Sequence, residues 1–170
     1  VDLLDHRDNM EQAALEKGVR RVVHVSTSEI YGTGQNISVD ESHPFNPQSP
    51  YAVSRVSADF LALSYYRSFD LPVSIARPFD VYGPRQSGCS IISAIIGELL
   101  EGKRRISLAS LPSVSDLTYV TDIVSGLLSI EASPETVGKT LNLGTGNAIS
   151  AADLGAKIAS AIGCDTEIIE

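Results

Sequence analysis

Ser49-Pro50-Tyr51-Ala52-Val53-Ser54-Arg55 opens the longest amphipathic run in the chain, and the other segments are read outward from it. Ser49 is a favourable N-cap, and Pro50 suits a first helical turn, where its missing N–H leaves no hydrogen bond unmade. The spacing therefore predicts a helix beginning here. Tyr51 and Arg55 are four residues apart, so they share a face and project together at the helix N-terminus. A fixed cation beside a phenol, added to the positive end of the helix dipole, favours the phenolate. The pair also reads as an ordinary surface tyrosine and arginine, and its surroundings must decide between the two.

The surroundings alternate strand and helix. Upstream, about Asp5 to Lys17 are helix formers ending at Gly18, a natural C-cap. Val22, Val23 and Val25 then read as a short strand buried on both faces, the mark of a parallel sheet. The strand runs out into Ser26-Thr27-Ser28-Glu29. Ligands in open parallel sheets sit at the carboxyl ends of strands, so these polar residues are functional candidates. The stretch from Tyr31-Gly32-Thr33-Gly34 to Pro50 is a long connection, and connections of that length in compact domains are usually functional.

Downstream, the helix from Pro50 to about Phe69 is expected to bury Val53, Val56, Phe60 and Leu63. Val73-Ser74-Ile75-Ala76 is the next strand, again ending in a polar cluster, Arg77-Pro78-Phe79-Asp80-Val81-Tyr82-Gly83-Pro84-Arg85-Gln86. An apolar helix from Ile91 to Leu100 is closed by Gly102, and a short strand is expected from Ile106 to Ala109. Asp116 to Val120 leads into a helix from about Thr121 to Ala132, Thr140 to Leu143 form a strand, and Ser150 caps a helix running to about Ile162. The fold class is α/β.

Composition narrows the partners. Of 170 residues, 43% are hydrophobic and 20% charged, which suits one cored domain and excludes disorder. The net charge is -8, with 13 Lys+Arg and no basic stripe beyond the pairs Arg20-Arg21 and Arg104-Arg105, so a nucleic-acid surface is disfavoured. Cys89 and Cys164 lie far apart without metal-ligand spacing, and the default is a reduced, cytoplasmic setting with no metal. No apolar run approaches a membrane span, and Val1 to Asp5 do not read as a signal peptide. Gly144-Thr145-Gly146 follows a strand and precedes a helix, but the third glycine of a phosphate-binding turn is missing. A tight turn into a capped helix is the better reading.

The ordered series Val25-Ser26-Thr27-Ser28-Glu29-Ile30-Tyr31-Gly32, Asp40-Glu41, Ser49 to Arg55, Arg77 to Gln86, Tyr119-Val120-Thr121-Asp122 and Asn142-Leu143-Gly144 resembles the extended short-chain dehydrogenase/reductase family. The likeness is to its NAD-dependent nucleotide-sugar epimerases and dehydratases. The Thr-Ser-Glu form of the first motif looks most like 4,6-dehydratases of nucleotide-linked N-acetylhexosamines. The resemblance implies a parallel-sheet Rossmann-like fold with a small substrate-binding portion, and NAD as cofactor. It implies that Thr27 hydrogen-bonds the sugar hydroxyl, that Tyr51 takes its proton, and that Ser28 and Glu29 serve the loss of water. Arg55 falls at the position of a lysine that holds the nicotinamide ribose. Ser26, Pro78 and Phe79 fall at the nicotinamide pocket, and Asp80, Arg85, Asp116 and Tyr119 fall in substrate-side segments.

Three positions depart from the family pattern: Arg55 replaces lysine, Asp80 replaces an asparagine that contacts the diphosphate, and Ser115 stands where an arginine is common. An arginine presents a planar fork in place of a compact ammonium, and a carboxylate beside a diphosphate is repelled unless neutralised. The family's opening strand, Gly-rich turn and helix are not found in these residues. The chain is therefore expected to be the C-terminal part of such an enzyme: residues 1–85 as the second half of the NAD domain, 86–170 as the substrate-binding portion. The resemblance also implies a homodimer through the helices near 5–17 and 50–69. It allows a dehydratase or an epimerase, and the alternative to both is a non-catalytic relative serving binding or assembly.

Overall fold

The computed structural model describes residues 2–32, 39–88, 90–103, 105–107, 114–164 and 167–169. Gly34, Cys89, Arg104, Ala109 and the side chains of His6, Arg7 and Asp8 lie outside that description. In chain order the elements are α1 (Asp2–Lys17), β1 (Val22–Val25), a 3-10 turn (Ser28–Tyr31), α2 (Pro50–Phe69), β2 (Val73–Pro78), β3 (Asp80–Tyr82), α3 (Ile91–Leu100) and β4 (Arg105–Ser107). There follow β5 (Val114–Tyr119), α4 (Val120–Ala132), a second 3-10 turn (Pro134–Thr136), β6 (Thr140–Leu143), β7 (Ala148–Ser150), α5 (Ala151–Ile162) and β8 (Glu167–Ile169).

Two compact units share the chain. One holds Val1–Phe79 and Thr121–Gly144, the other Asp80–Val120 and Thr145–Glu170. They interleave, with crossings after residues 79, 120 and 144, whereas the sequence placed a single boundary near residue 85. The reason is that β6 returns to pair with β2, a long-range contact that no local pattern announces.

In the first unit β1, β2 and β6 form a parallel sheet in that order. Central β2 is buried along its whole length, with Val73, Ile75 and Ala76 fully shielded. Burial of each large aliphatic side chain contributes about 1.5–3 kcal/mol. β1 departs from the expectation of burial on both faces: it pairs only with β2 among the described strands, and Val25 is 43% exposed. α2 crosses from β1 to β2 and packs back on the sheet, but not through the face expected. Ala52, Ala58, Ala62 and Tyr65 are buried, whereas Val53 is 50% and Phe60 55% exposed. Small side chains let the helix axis approach the strand, so the alanine face wins the core and Phe60 packs edge-on against Phe45, ring centroids 5.7 Å apart. Leu63, as expected, packs against the core of Ala62, Tyr65, Leu71, Val73 and Ile75.

In the second unit β5 pairs in parallel with β3 and antiparallel with β7, and β4 pairs in parallel with β8. Its core is Ile95, Leu99, Ile106, Ala151, Leu154 and Ala159, drawn from α3, β4 and α5. Ser150 caps α5, its hydroxyl accepting from the Asp153 N–H at 3.0 Å.

Candidate functional site

Parallel register brings the carboxyl ends of β1 and β2 to one edge of the first unit's sheet. The Ser26 N–H donates to the Ala76 carbonyl at 2.7 Å, and Phe79 N–H to the Leu143 carbonyl at 2.9 Å. Ser26, Thr27, Pro78 and Phe79 are thereby set along one edge. Beyond Val25 the extended geometry stops. Thr27 is the N-cap of the 3-10 turn, its Oγ1 accepting from the Glu29 N–H at 3.2 Å. Period-two alternation therefore does not relate Thr27 to Glu29, as an extended strand would have it; Ser28 and Glu29 stand in the first turn of a tight helix, with Glu29 exposed. Gly32 ends the turn at φ 76°, where a Cβ would collide with the Asn46 carbonyl oxygen.

Tyr51 and Arg55 stand beside this edge. Ser49 caps α2 as expected, its hydroxyl accepting from the Ala52 N–H at 3.0 Å. The Arg55 guanidinium lies 4.9 Å above the centre of the Tyr51 ring. Its Nη1 donates to the Val25 carbonyl at 3.4 Å, so the start of α2 is tied to the end of β1. Tyr51 is 43% exposed. Two buried polar atoms here, Ser26 Oγ and Arg55 Nε, have no hydrogen-bond partner among the described residues. Spare polar atoms beside an exposed phenol fit a polar ligand, and the ribose and carboxamide of a nicotinamide nucleotide are such groups.

Beneath this edge runs a buried array that motif reading passed over. Arg77 Nε donates to Asp59 Oδ2 at 3.0 Å, and its Nη1 to the Tyr31 hydroxyl at 2.8 Å. Tyr31 donates in turn to Asn142 Oδ1 at 2.9 Å. Asn142 also holds the loop before α2, through the Val39 carbonyl at 3.2 Å and Glu41 Oε1 at 2.8 Å. The Arg77 guanidinium lies over the rings of Tyr31 and Phe45, at 5.3 and 5.0 Å. Burial pushes the Tyr31 phenol up, partly offset by Arg77, which keeps it a hydrogen-bond donor. On the other side of Asp59, His24 contacts Asp59 Oδ1 and Glu11 Oε1, each at 3.5 Å. Two signals in the sequence could have pointed here: a lone arginine closing the apolar strand Val73-Ser74-Ile75-Ala76, and Asp59 among the alanines of α2.

In the second unit Asp80 opens β3, exposed, and Arg85 is an exposed turn residue at φ 67°. Tyr119 ends β5, its ring 5.4 Å from that of Tyr82. Asp116 is spent on its own fold. Its Oδ1 accepts from the Thr145 N–H and hydroxyl at 3.0 and 2.6 Å, and its Oδ2 from the Gly146 N–H at 2.8 Å. The Gly-Thr-Gly turn thus offers its amides to an internal carboxylate, which accounts physically for setting it aside as a phosphate site.

Comparison with known proteins agrees with these motifs. The family model for GDP-mannose 4,6 dehydratase matches residues 3–168. A dTDP-glucose 4,6-dehydratase of Streptomyces antibioticus is 34% identical over 160 residues, 93% of this chain and 47% of that protein. A UDP-glucose 4-epimerase of Mycolicibacterium smegmatis is 35% identical over 162 residues, 93% of this chain and 51% of its own length. The crystal structure of dTDP-glucose 4,6-dehydratase from Bacillus anthracis in complex with NAD superposes with a TM-score of 0.85 at 30% identity, over 96% of this chain and 53% of that one. The chain spans about half the length of the relatives it matches. A parallel sheet of Rossmann type, with Tyr51 and Arg55 tied to the end of its first strand, belongs with that match: the chain is a member of the GDP-mannose 4,6-dehydratase family of NAD-dependent nucleotide-sugar dehydratases and epimerases.

Proposed function

We propose that these residues form the catalytic half of an NAD-dependent nucleotide-sugar dehydratase or epimerase. The observation that carries this reading is the Arg55 guanidinium stacked on Tyr51 and anchored to the Val25 carbonyl, at the end of the strand that leads into Thr27. Bound NAD would supply the oxidant for the sugar C4 carbinol, and the NADH so formed would return its hydride to C4 in an epimerase or to C6, after loss of water, in a dehydratase. Thr27 orients the C4 hydroxyl through its side chain, and Tyr51 takes the hydroxyl proton as general base. Arg55 stands over the Tyr51 ring as a fixed cation and is the candidate contact for the ribose. It cannot relay the proton, because a guanidinium does not deprotonate in proteins. In the first unit Ser26, Pro78 and Phe79 are the candidates for the nicotinamide; in the second, Asp80, Arg85 and Tyr119 are candidates for the substrate nucleotide by the family resemblance alone.

Elimination needs one group more than epimerisation: a carboxylate that takes the proton beside the ketone. Glu29 is our candidate, exposed in the turn that Thr27 caps, serving first as base and then, protonated, as acid; Ser28 is a weaker acid for that role. In the intact protein with NAD, Glu29→Gln is expected to retain transient NADH absorbance while losing the dehydrated 4-keto-6-deoxy product, read by mass. Unchanged product formation would remove Glu29 from the reaction. Interconversion of C4 epimers without loss of water would assign the protein to the epimerases.

The exposed apolar residues Met10, Val53 and Phe60 of α1 and α2 support pairing of two copies through these helices. A sedimentation measurement showing monomer at high concentration would overturn it. Within the described residues no helix is long and apolar enough to cross a membrane, which suits a cytoplasmic setting. The 170 residues contain no Gly-x-x-Gly-x-x-Gly turn. Alone they are expected to bind NAD weakly, since pyrophosphate is usually held by such a turn at a helix N-terminus. A low-micromolar Kd by calorimetry would contradict that.

A further inference from the structure

The buried array contains more charge than a structural tie requires. Glu11 comes from α1, His24 from β1, Asp59 from α2 and Arg77 from β2, and Glu11, Asp59 and Arg77 are all at least 96% shielded by their relative exposures of 4%, 1% and 3%. Both imidazole nitrogens face a carboxylate: Nδ1 faces Glu11 Oε1 and Nε2 faces Asp59 Oδ1, each at 3.5 Å. A neutral imidazole has one N–H and one lone pair, so one carboxylate would meet a lone pair. Only the imidazolium turns a donor to each. Charge counting agrees, because two carboxylates balance two cations when His24 is protonated and leave an uncompensated buried anion when it is not.

We infer that His24, Asp59 and Arg77 are positioning residues: a proton held on His24 between Glu11 and Asp59 sets, through Arg77 and Tyr31, the 3-10 turn that carries Thr27 and Glu29. The path is continuous. Asp59 Oδ1 lies 3.5 Å from His24 Nε2, a charge contact in which neither atom has a hydrogen-bond partner among the described residues, and Asp59 Oδ2 accepts from Arg77 Nε at 3.0 Å. Arg77 holds the Tyr31 hydroxyl at 2.8 Å, and Tyr31 is the last residue of the turn. When His24 loses its proton, Asp59 must satisfy its negative charge with Arg77 alone, which draws the guanidinium from the Tyr31 hydroxyl. The charged groups facing the imidazole are Asp59 and Glu11, with Arg77 behind Asp59. Burial disfavours the charged ring, but Asp59 and Glu11 together outweigh it and hold the His24 pKa above its ordinary value near 6.5. A histidine raised on folding stabilises the fold fully below that ordinary value, and the contribution is lost as pH rises through the higher, folded one.

The catalytic consequence rests on the dehydratase or epimerase reading, but the array can be tested without turnover. In the full chain, His24 is identified by the imidazole signal lost in His24→Gln and followed by NMR across pH. Its midpoint is expected above about 6.5, with the amides of Glu29, Ile30 and Tyr31 shifting at the same midpoint. Glu11→Gln should lower that midpoint by about one unit or more, as for removal of a neighbouring charge. It decides the matter should His24→Gln fail to fold. A merely structural array would lose stability on substitution but would not move the turn with the histidine. His24 titrating at or below about 6.5, turn amides indifferent to it, or a midpoint unmoved by Glu11→Gln would each overturn the inference. An inactive protein whose turn follows His24 would remove the enzymatic reading and keep the array.

Discussion

Two arginine–tyrosine pairs sit in the first unit, and their difference separates chemistry from architecture. Arg77 and Tyr31 are buried, joined by a hydrogen bond, and tied further into the fold, Arg77 Nε to Asp59 and the Tyr31 hydroxyl to Asn142. Arg55 and Tyr51 are stacked, with Tyr51 43% exposed and the guanidinium Nε without a hydrogen-bond partner among the described residues. A group fully spent inside the fold can hold a shape but has nothing left for a substrate. An exposed phenol keeps its hydroxyl open to a ligand, the role proposed above for Tyr51.

The comparison can be broken by substitutions, and the largest effect is expected at the buried pair. Arg77→Met leaves Asp59 without its strongest partner in a dry interior, and should cost about 3–5 kcal/mol in urea unfolding. A cost below about 1 kcal/mol, the size of an exposed ion pair, would mean that water reaches Asp59. Tyr31→Phe removes one hydroxyl but strands a donor on Arg77 and an acceptor on Asn142, an expected loss of about 1–3 kcal/mol. Ser49→Ala deletes the cap of α2 and should cost about 0.5–2 kcal/mol by the same measurement. Arg55→Lys keeps the charge but loses the planar stack on Tyr51, for which about 0.5–1 kcal/mol is expected at an exposed site. Were Arg55→Lys as costly as Arg77→Met, the two pairs would not differ as described.

The exposed pair was legible in the sequence, and the buried one was not. Tyr51 and Arg55 are four residues apart on one helix, and Ser49-Pro50 marks where that helix begins, so local geometry suffices. Asp59 and Arg77 meet only because α2 lies across β2, and His24 joins them only because β1 pairs with β2. Such contacts follow from tertiary packing. The face of α2 was misread for the same reason: Val53 and Phe60 are the more hydrophobic, but the alanines allow the closer approach to the sheet. Strand alternation would set Glu29 on the same side as Thr27, but the extended geometry ends where Thr27 uses its hydroxyl to cap a 3-10 turn. The parallel sheet, by contrast, was readable from Val22, Val23 and Val25 followed by Val73 to Ala76, because strands joined by a helix run parallel.

The most direct measurement compares Tyr51→Phe with Tyr31→Phe in the intact protein, recording unfolding free energy and product formation with NAD and a nucleotide sugar together. Tyr51→Phe is expected to keep its stability within about 0.5 kcal/mol, as for an exposed side chain, and to lose turnover by about 10²–10⁴-fold, the range for a general base. Tyr31→Phe is expected to lose stability first, with turnover falling less. Normal turnover in a folded Tyr51→Phe protein would contradict the assignment of the exposed pair to catalysis.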